Sequence, residues 1–352
     1  MPGMTALAIG ARRVGQGAPC FIVAEIGINH NGDMALAERT IDAAAAAGAD
    51  AVKLQNYRTE DFVTDRSLTY EYRAGDRRVV ESQWEMFKRC ELSAADLARL
   101  KTYADRRNIV LFSTPTSLAT LADLVALDVP VLKNGSDFLG HLPLIGAMGA
   151  TGRPTIVSTG MATLAEIDEA VRTFRDTGND QLILLHCTSS YPTPPGDVHL
   201  RKIPALAAAF GCLVGLSDHT LGIVAAVGAV ALGACCVEKH FTLDRRLPGP
   251  DHAMSSDPDE LRRLVEAVRA LELSLGESRI GPAAGERRAR DAYRLSCAAA
   301  RALPTGHVLG EADVVFRRPG GGVPPSRAGD LIGRQLTKAV EAHHAFRPED
   351  LG

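Results

Sequence analysis

The stretch GACCVEKHF, residues 233–241, begins as an apolar run and ends in Glu238, Lys239 and His240. Ionisable groups buried without partners cost several kcal/mol, so a strand that carries them at one end must open onto something that needs them. Seven other short apolar or β-branched runs share the pattern: FIVAEIG (21–27), AVKLQ (51–55), IVLFSTP (109–115), VLKNGS (131–136), TIVSTG (155–160), LILLHC (182–187) and LVGLSDH (213–219). Ala/Leu-rich amphipathic stretches such as MALAERTIDAAAAAGAD and TLAEIDEAVRTFRDTG follow nearly all of them. Eight strand-then-helix units in about 260 residues predict an α/β protein built on a (β/α)8 TIM barrel, rather than an open parallel sheet, which uses fewer strands.

The polar residues fall where such a barrel would use them. Glu25, Lys53, Thr114, Lys133, Ser158, Ser217, His219, Glu238 and His240 all stand at the C-terminal ends of their runs, the face on which barrel enzymes build their sites. Side chains two apart on a strand share a face. Ser217 with His219, Glu238 with His240, and Lys53 with Gln55 are such pairs, and all could converge in one polar mouth.

The barrel is expected over residues 1–280. A charged, Gly/Pro-punctuated segment ending in ERRARDAYR reads as a linker at 281–294, and the remainder, 295–352, with short apolar runs among Gly and Pro, reads as a small, mostly β module. Thirty-nine basic against forty-two acidic side chains leave a formal charge of -3, so no global field favours nucleic acid or an anionic membrane, and a bound phosphate must be gripped locally. Seven cysteines, at 20, 90, 187, 212, 235, 236 and 297, show no paired C-x-x-C spacing and sit mostly among apolar neighbours; reduced thiols in the cytoplasm are expected. The N-terminus has no apolar core of signal-peptide length, and the Ala/Val-rich run near 223–237 is too short and Gly-punctuated to span a membrane.

His219 in SDHT and His240 in EKHF end adjacent expected strands, so their imidazoles could share one catalytic divalent cation while leaving positions open for water and substrate. Two unrelated histidines, one capping a helix, are the alternative. Lys53 and Lys133, with hydroxyls at Thr114, Ser136, Ser158, Ser189 and Ser217, could form a phosphate cradle; lysines that merely snorkel at strand ends are the plainer reading. Glu25 is a general base, a stabiliser of positive charge, or a structural carboxylate paired with a lysine. Tyr191 and Asp251 lie on loops after the sixth and eighth runs, where they could touch a polyol. No phosphate loop of the G-x-x-x-x-G-K-[ST] type and no G-x-G-x-x-G motif is present, so GGG at 320–322 reads as a turn.

The blocks AEIGINHNGD, GADAVKLQ, FSTP, STGMAT, LLHCTSSYPTP, GLSDHTLG, VEKHFTLDRRLPGPDH, RRPGGGVPP and LIGR occur in an order that spans almost the whole chain. In them the chain resembles the sialic acid synthase family, bacterial enzymes that make N-acetylneuraminic, legionaminic and pseudaminic acids, including the spore-coat polysaccharide type. The resemblance implies a TIM barrel followed by an antifreeze-like (SAF) domain, in a domain-swapped homodimer. It also implies condensation of phosphoenolpyruvate with an N-acylamino hexose, aided by a divalent metal: Mn2+ first, Mg2+ or Co2+ as alternatives. By motif, His219 and His240 would hold the metal, and Glu25 would act at the reacting centre. Lys53, Thr114, Lys133, Ser136, Ser158, Ser189 and Ser217 would grip phosphoenolpyruvate. Gln55, Tyr191, Glu238 and Asp251 would meet the sugar, with Arg318 reaching it from the other subunit. Ser189 stands where other members carry a longer polar residue such as Asn. The rival reading is a 3-deoxy-octulosonate or 3-deoxy-heptulosonate phosphate synthase, which would need extra cations for a phosphorylated aldose and lacks the second module. A non-catalytic ice- or carbohydrate-binding protein is the further alternative.

Overall fold

The computed structural model describes residues 6–352, and the chain divides after Gly276 into two compact units. The first holds eight parallel strands: β1 (Phe21–Gly27), β2 (Ala51–Asn56), β3 (Val110–Pro115), β4 (Leu132–Asn134), β5 (Thr155–Ser158), β6 (Leu182–Cys187), β7 (Leu213–Asp218) and β8 (Cys236–His240). Their hydrogen-bonded order is β3-β2-β1-β8-β7-β6-β5-β4. The two end strands of that order, β3 and β4, pack beside each other, so the sheet curls into a nearly closed barrel. Strands buried on both faces need near-continuous apolar sequence, and β1 and β6 are buried at every residue.

Several helices start where capping side chains can take up free backbone N–H groups. Asp33 caps Met34–Ala46, Thr163 forms a capping box with Glu166 at Leu164–Arg175, and Asp257 caps Pro258–Leu275 with proline in the first turn. Each such cap stabilises its helix by about 1 kcal/mol. Inside the barrel, Phe21, Val23, Phe112, Ile156, Ile183, Leu185 and Cys236 form one apolar cluster below the polar strand ends. A side chain at Gly215 would lie 2.4 Å from the Cys236 carbonyl and 2.7 Å from Leu185, so only glycine lets this layer close.

Two elements depart from the simple βα alternation. A hairpin, Ala6–Ile9 with Arg12–Gly15, buries Leu7, Ile9 and Val14 against the apolar cluster, at the end of the barrel away from the polar residues. Between β2 and the helix Ala94–Arg106 runs an excursion with a second hairpin, Thr69–Ala74 and Arg77–Ser82, and the helix Gln83–Cys90. It has its own core of Ile28, Tyr57, Met86 and Cys90, joined by Phe62, Tyr70 and Phe87. The fourth run is also shorter than its apolar sequence suggests: pairing stops at Asn134, and Ser136–Phe138 forms a 3-10 turn.

The second unit packs Cys297, Ala299, Leu303, Leu309, Leu331, Leu336, Val340 and Phe346 into a small core. Its one ladder pairs Ser296–Ala299 with Val314–Arg317 in antiparallel register, and isolated bridges and 3-10 turns make up much of the rest. The segment 281–294, expected as linker, lies within this unit and contains the helix Arg287–Tyr293. Among the described residues no helix is long and apolar enough to cross a membrane, and the seven cysteines are free thiols.

Candidate active site

At the C-terminal ends of β1, β2, β3 and β8 a buried charge cluster forms. Lys53 Nζ lies 2.8 Å from Glu25 Oε1, donates to Thr114 Oγ1 at 3.1 Å and approaches Glu238 Oε2 at 3.9 Å. Across the barrel Lys133 Nζ donates to Ser158 Oγ at 2.8 Å and lies 3.8 Å from Glu238 Oε1, which also accepts from Ser217 Oγ at 3.0 Å. Two lysines thus face two carboxylates, all four nearly excluded from solvent. Burial raises Glu25 to about 7 even against the pull of Lys53. Glu238 goes the other way: burial works against its charge, but Lys133 and Lys53 together hold it below the usual carboxylate range. Burial lowers the Lys133 ammonium, whereas Glu238 and Glu25 outweigh burial at Lys53 and raise it. Glu25 Oε2 and Glu238 Oε2 are buried without a hydrogen-bond partner, so each has an acceptor in reserve.

Hydroxyls converge beside this cluster. Gly160 N–H donates to Ser136 Oγ at 3.0 Å, and a Cβ on Gly160 would fall 2.5 Å from Ser189 Oγ and 2.7 Å from Ser136 Oγ. Ser189 Oγ is buried and unpartnered. Two hydroxyls and a glycine backbone therefore meet too closely for any side chain at position 160, a tight hydroxyl nest in which the unpartnered Ser189 Oγ can donate to a phosphate oxygen.

His219 and His240 face each other across the mouth with ring centroids 5.5 Å apart. The Thr188 carbonyl lies 2.8 Å from His219 Nδ1 and can only accept, so the proton sits on Nδ1 and the Nε2 lone pair is free, 3.5 Å from Ser217 Oγ. Burial drives His240 well below the usual imidazole range, reinforced by the nearby cations; its Nδ1 is buried without a hydrogen bond, 3.6 Å from Asp251 Oδ2. Burial opposes charge on His219 too, but Cys187 and the Thr188 carbonyl raise it overall. Among the described residues no group of three or more His, Cys, Asp or Glu side chains forms a metal cage. His240 as a neutral imidazole and His219 once its Nε2 is deprotonated each offer a lone pair, and the two fit a divalent cation that keeps open positions for oxygen ligands.

On the remaining side of the mouth, Gln55 Nε2 donates to Glu25 Oε1 at 3.3 Å, and the Tyr191 ring lies 4.2 Å from His219 and 6.0 Å from His240. Burial raises Asp251 to about 6. Glu238, expected at the sugar by resemblance, sits between the two lysines and against Ser217. Arg318 belongs to the second unit, where its guanidinium lies 5.3 Å from the Tyr293 ring beside a cavity of about 540 Å³. Sequence reasoning passed over Cys187, whose Sγ is 3.9 Å from His219 Nδ1. Its place two residues beyond Leu185 in LILLHC was the available signal.

The profile of the NeuB family matches residues 40–279, and that of the SAF domain matches residues 296–352. An uncharacterized protein of Methanocaldococcus jannaschii is 41% identical over 348 residues, 99% of each chain. N,N'-diacetyllegionaminic acid synthase of Legionella pneumophila is 38% identical, with 95% of each chain covered. Among solved structures, an N-acetylneuraminic acid (sialic acid) synthetase from Leptospira borgpetersenii, crystallised with citrate, superposes with a TM-score of 0.74 at 34% identity, covering 82% of this chain and 95% of its own.

Proposed function

The chain belongs to the NeuB family, with a SAF domain after the barrel, and from that premise we propose that it condenses phosphoenolpyruvate with an open-chain N-acylamino hexose and water, releasing a nine-carbon 2-keto acid and inorganic phosphate. One observation carries the proposal: the buried Lys53–Glu25–Glu238–Lys133 cluster lies beside the Ser136–Gly160–Ser189 nest and two facing imidazoles, all at one barrel mouth. Lys53, Lys133 and the hydroxyls of Thr114, Ser136, Ser158, Ser189 and Ser217 bind the carboxylate and phosphate of the enol ester, fixing its C3 toward the aldehyde. Gln55, Tyr191 and Asp251 orient the sugar. A divalent cation, Mn2+ or in its place Mg2+ or Co2+, would be held by His219 and His240 and would polarise the aldehyde oxygen.

As C3 bonds to the aldehyde carbon, C2 becomes electron-poor, and the negative charge of Glu25 stabilises it. Water adds at C2, and Glu25 Oε2, free of other partners, accepts its proton. The tetrahedral centre then expels phosphate with the bridging oxygen while its hydroxyl proton passes to the departing phosphate, leaving the 2-keto group, and the proton held by Glu25 ends on the former aldehyde oxygen. A second copy of the chain would supply Arg318 to the N-acyl end of the sugar. The test is a panel with Mn2+ and phosphoenolpyruvate in which N-acetylmannosamine, a 2,4-diacetamido-trideoxyhexose and phosphorylated aldoses compete, read by inorganic phosphate and product mass. Phosphate release with an unphosphorylated N-acylamino hexose is expected; turnover confined to phosphorylated aldoses, or none at all, overturns the reading.

A further inference from the structure

We propose that the buried Asp218–Lys239 ion pair is a positioning device that sets the separation of the two imidazoles, an inference that rests on reading His219 and His240 as cation ligands. Neighbouring residues on a strand point to opposite faces. With Ser217, His219, Glu238 and His240 facing the barrel interior, Asp218 and Lys239 face outward, toward the surrounding helices. That outer layer is otherwise apolar: Val214 and Leu216 of β7 join one core cluster, Val237 of β8 and Phe241 just beyond it another. Asp218 and Lys239 break the pattern together. They are direct partners in the β7–β8 register and form its last rung, 2% and 3% exposed, with Lys239 Nζ 2.8 Å from Asp218 Oδ2.

The same two groups also hold the chain just past His219. Lys239 Nζ donates to the Thr220 carbonyl at 2.6 Å, and Thr220 N–H donates to Asp218 Oδ1 at 2.9 Å. Each histidine is anchored to its own surroundings, His219 O by Thr193 N–H and His240 O by Ser256 N–H. Beyond the last rung, the Asp218–Lys239–Thr220 clamp is what ties one strand end to the other. Stability does not account for it, because well-packed apolar residues often replace a buried ion pair with no loss. What the pair adds is direction: it fixes the backbone that aims His219 and His240 at one point.

The experiment is an electron paramagnetic resonance titration of Mn2+ into the full-length chain, alongside thermal unfolding and phosphoenolpyruvate binding measured without metal. Wild type is compared with Lys239→Met, with Asp218→Asn/Lys239→Met, which removes both charges and keeps an acceptor for Thr220 N–H, and with His240→Ala as control. The double variant is expected to stay folded, with an unfolding temperature lowered only by the lost hydrogen bond to the Thr220 carbonyl, and to bind phosphoenolpyruvate normally, while its Mn2+ affinity drops about 10- to 100-fold, as for other groups that orient metal ligands. Wild-type Mn2+ affinity in a folded double variant would overturn the proposal and leave the cation reading standing. Wild-type protein with no Mn2+ site that His240→Ala removes would overturn the cation reading itself, and this inference with it.

Discussion

Glu25 shares Lys53 with Glu238, and two carboxylates set against two lysines leave the cluster near neutrality before any anion arrives. Burial raises Glu25 to about 7, where a carboxylate can exchange a proton at physiological pH. If the ionised form accepts the proton of water at C2, activity rises as pH climbs through about 7 and is lost below it, where the carboxyl is protonated. Glu25→Gln should lower kcat by about 10²- to 10⁴-fold and flatten that acidic limb while phosphoenolpyruvate still binds. A pH–rate profile of both proteins checks the point, and an unchanged limb in the variant would remove Glu25 from the role. The lysines, Glu25 and the histidines were legible in the sequence because each ends an apolar run, where position alone implies the barrel mouth. Cys187 escaped because a thiol in LILLHC reads as one more apolar residue. Asp218 and Lys239 escaped because their pairing depends on the register of two strands separated by a helix, which no local pattern displays.

Among the elements, the loop after β1 and the loop after β8 are joined by a buried polar chain. Asn29 Nδ2 donates to the Phe241 carbonyl at 2.9 Å and to Ser255 Oγ at 3.0 Å, and Ser255 Oγ in turn donates to the Asp251 carbonyl at 2.6 Å. Asp251 thus takes its position from the loop that follows Glu25. Ser255→Ala leaves Asn29 short of a partner and frees the Asp251 backbone, at a cost of about 1 kcal/mol. If Asp251 meets the sugar, KM for the sugar should rise several-fold while KM for phosphoenolpyruvate holds; steady-state kinetics with each substrate varied separates the two, and equal shifts in both would mean a general loss of fold. Periodicity announced the eight strands because burial on two faces leaves a continuous apolar signature. It did not announce the excursion between β2 and the helix Ala94–Arg106, where TYEYRA is exposed at alternate positions and RRVVES at three of six, and the aromatic core draws residues from four separated segments.

For the whole molecule, the first unit displays large apolar side chains in the loops and first helical turns that follow the C-terminal ends of the strands. Leu118 follows β3, Met161 and Leu164 follow β5, and Leu221 and Val224 follow β7; Met161, Leu221 and Val224 are 72%, 61% and 83% exposed. The second unit carries an arginine, Arg318, set on Tyr293 beside an open cavity. The division into two units could be read from composition, since Gly, Pro and charge interrupt the βα rhythm after residue 276; whether Arg318 acts at a barrel, its own or another copy's, leaves no mark in one chain. Co-expression of differently tagged Glu25→Gln and Arg318→Ala chains decides it. If Arg318 acts across a dimer, the doubly tagged heterodimer has one barrel with an intact Glu25 facing an intact Arg318, and regains activity at that site while each homodimer stays nearly inactive. If Arg318 serves its own barrel, every site in the heterodimer lacks one of the two residues, and purified heterodimers would release no more phosphate than the homodimers.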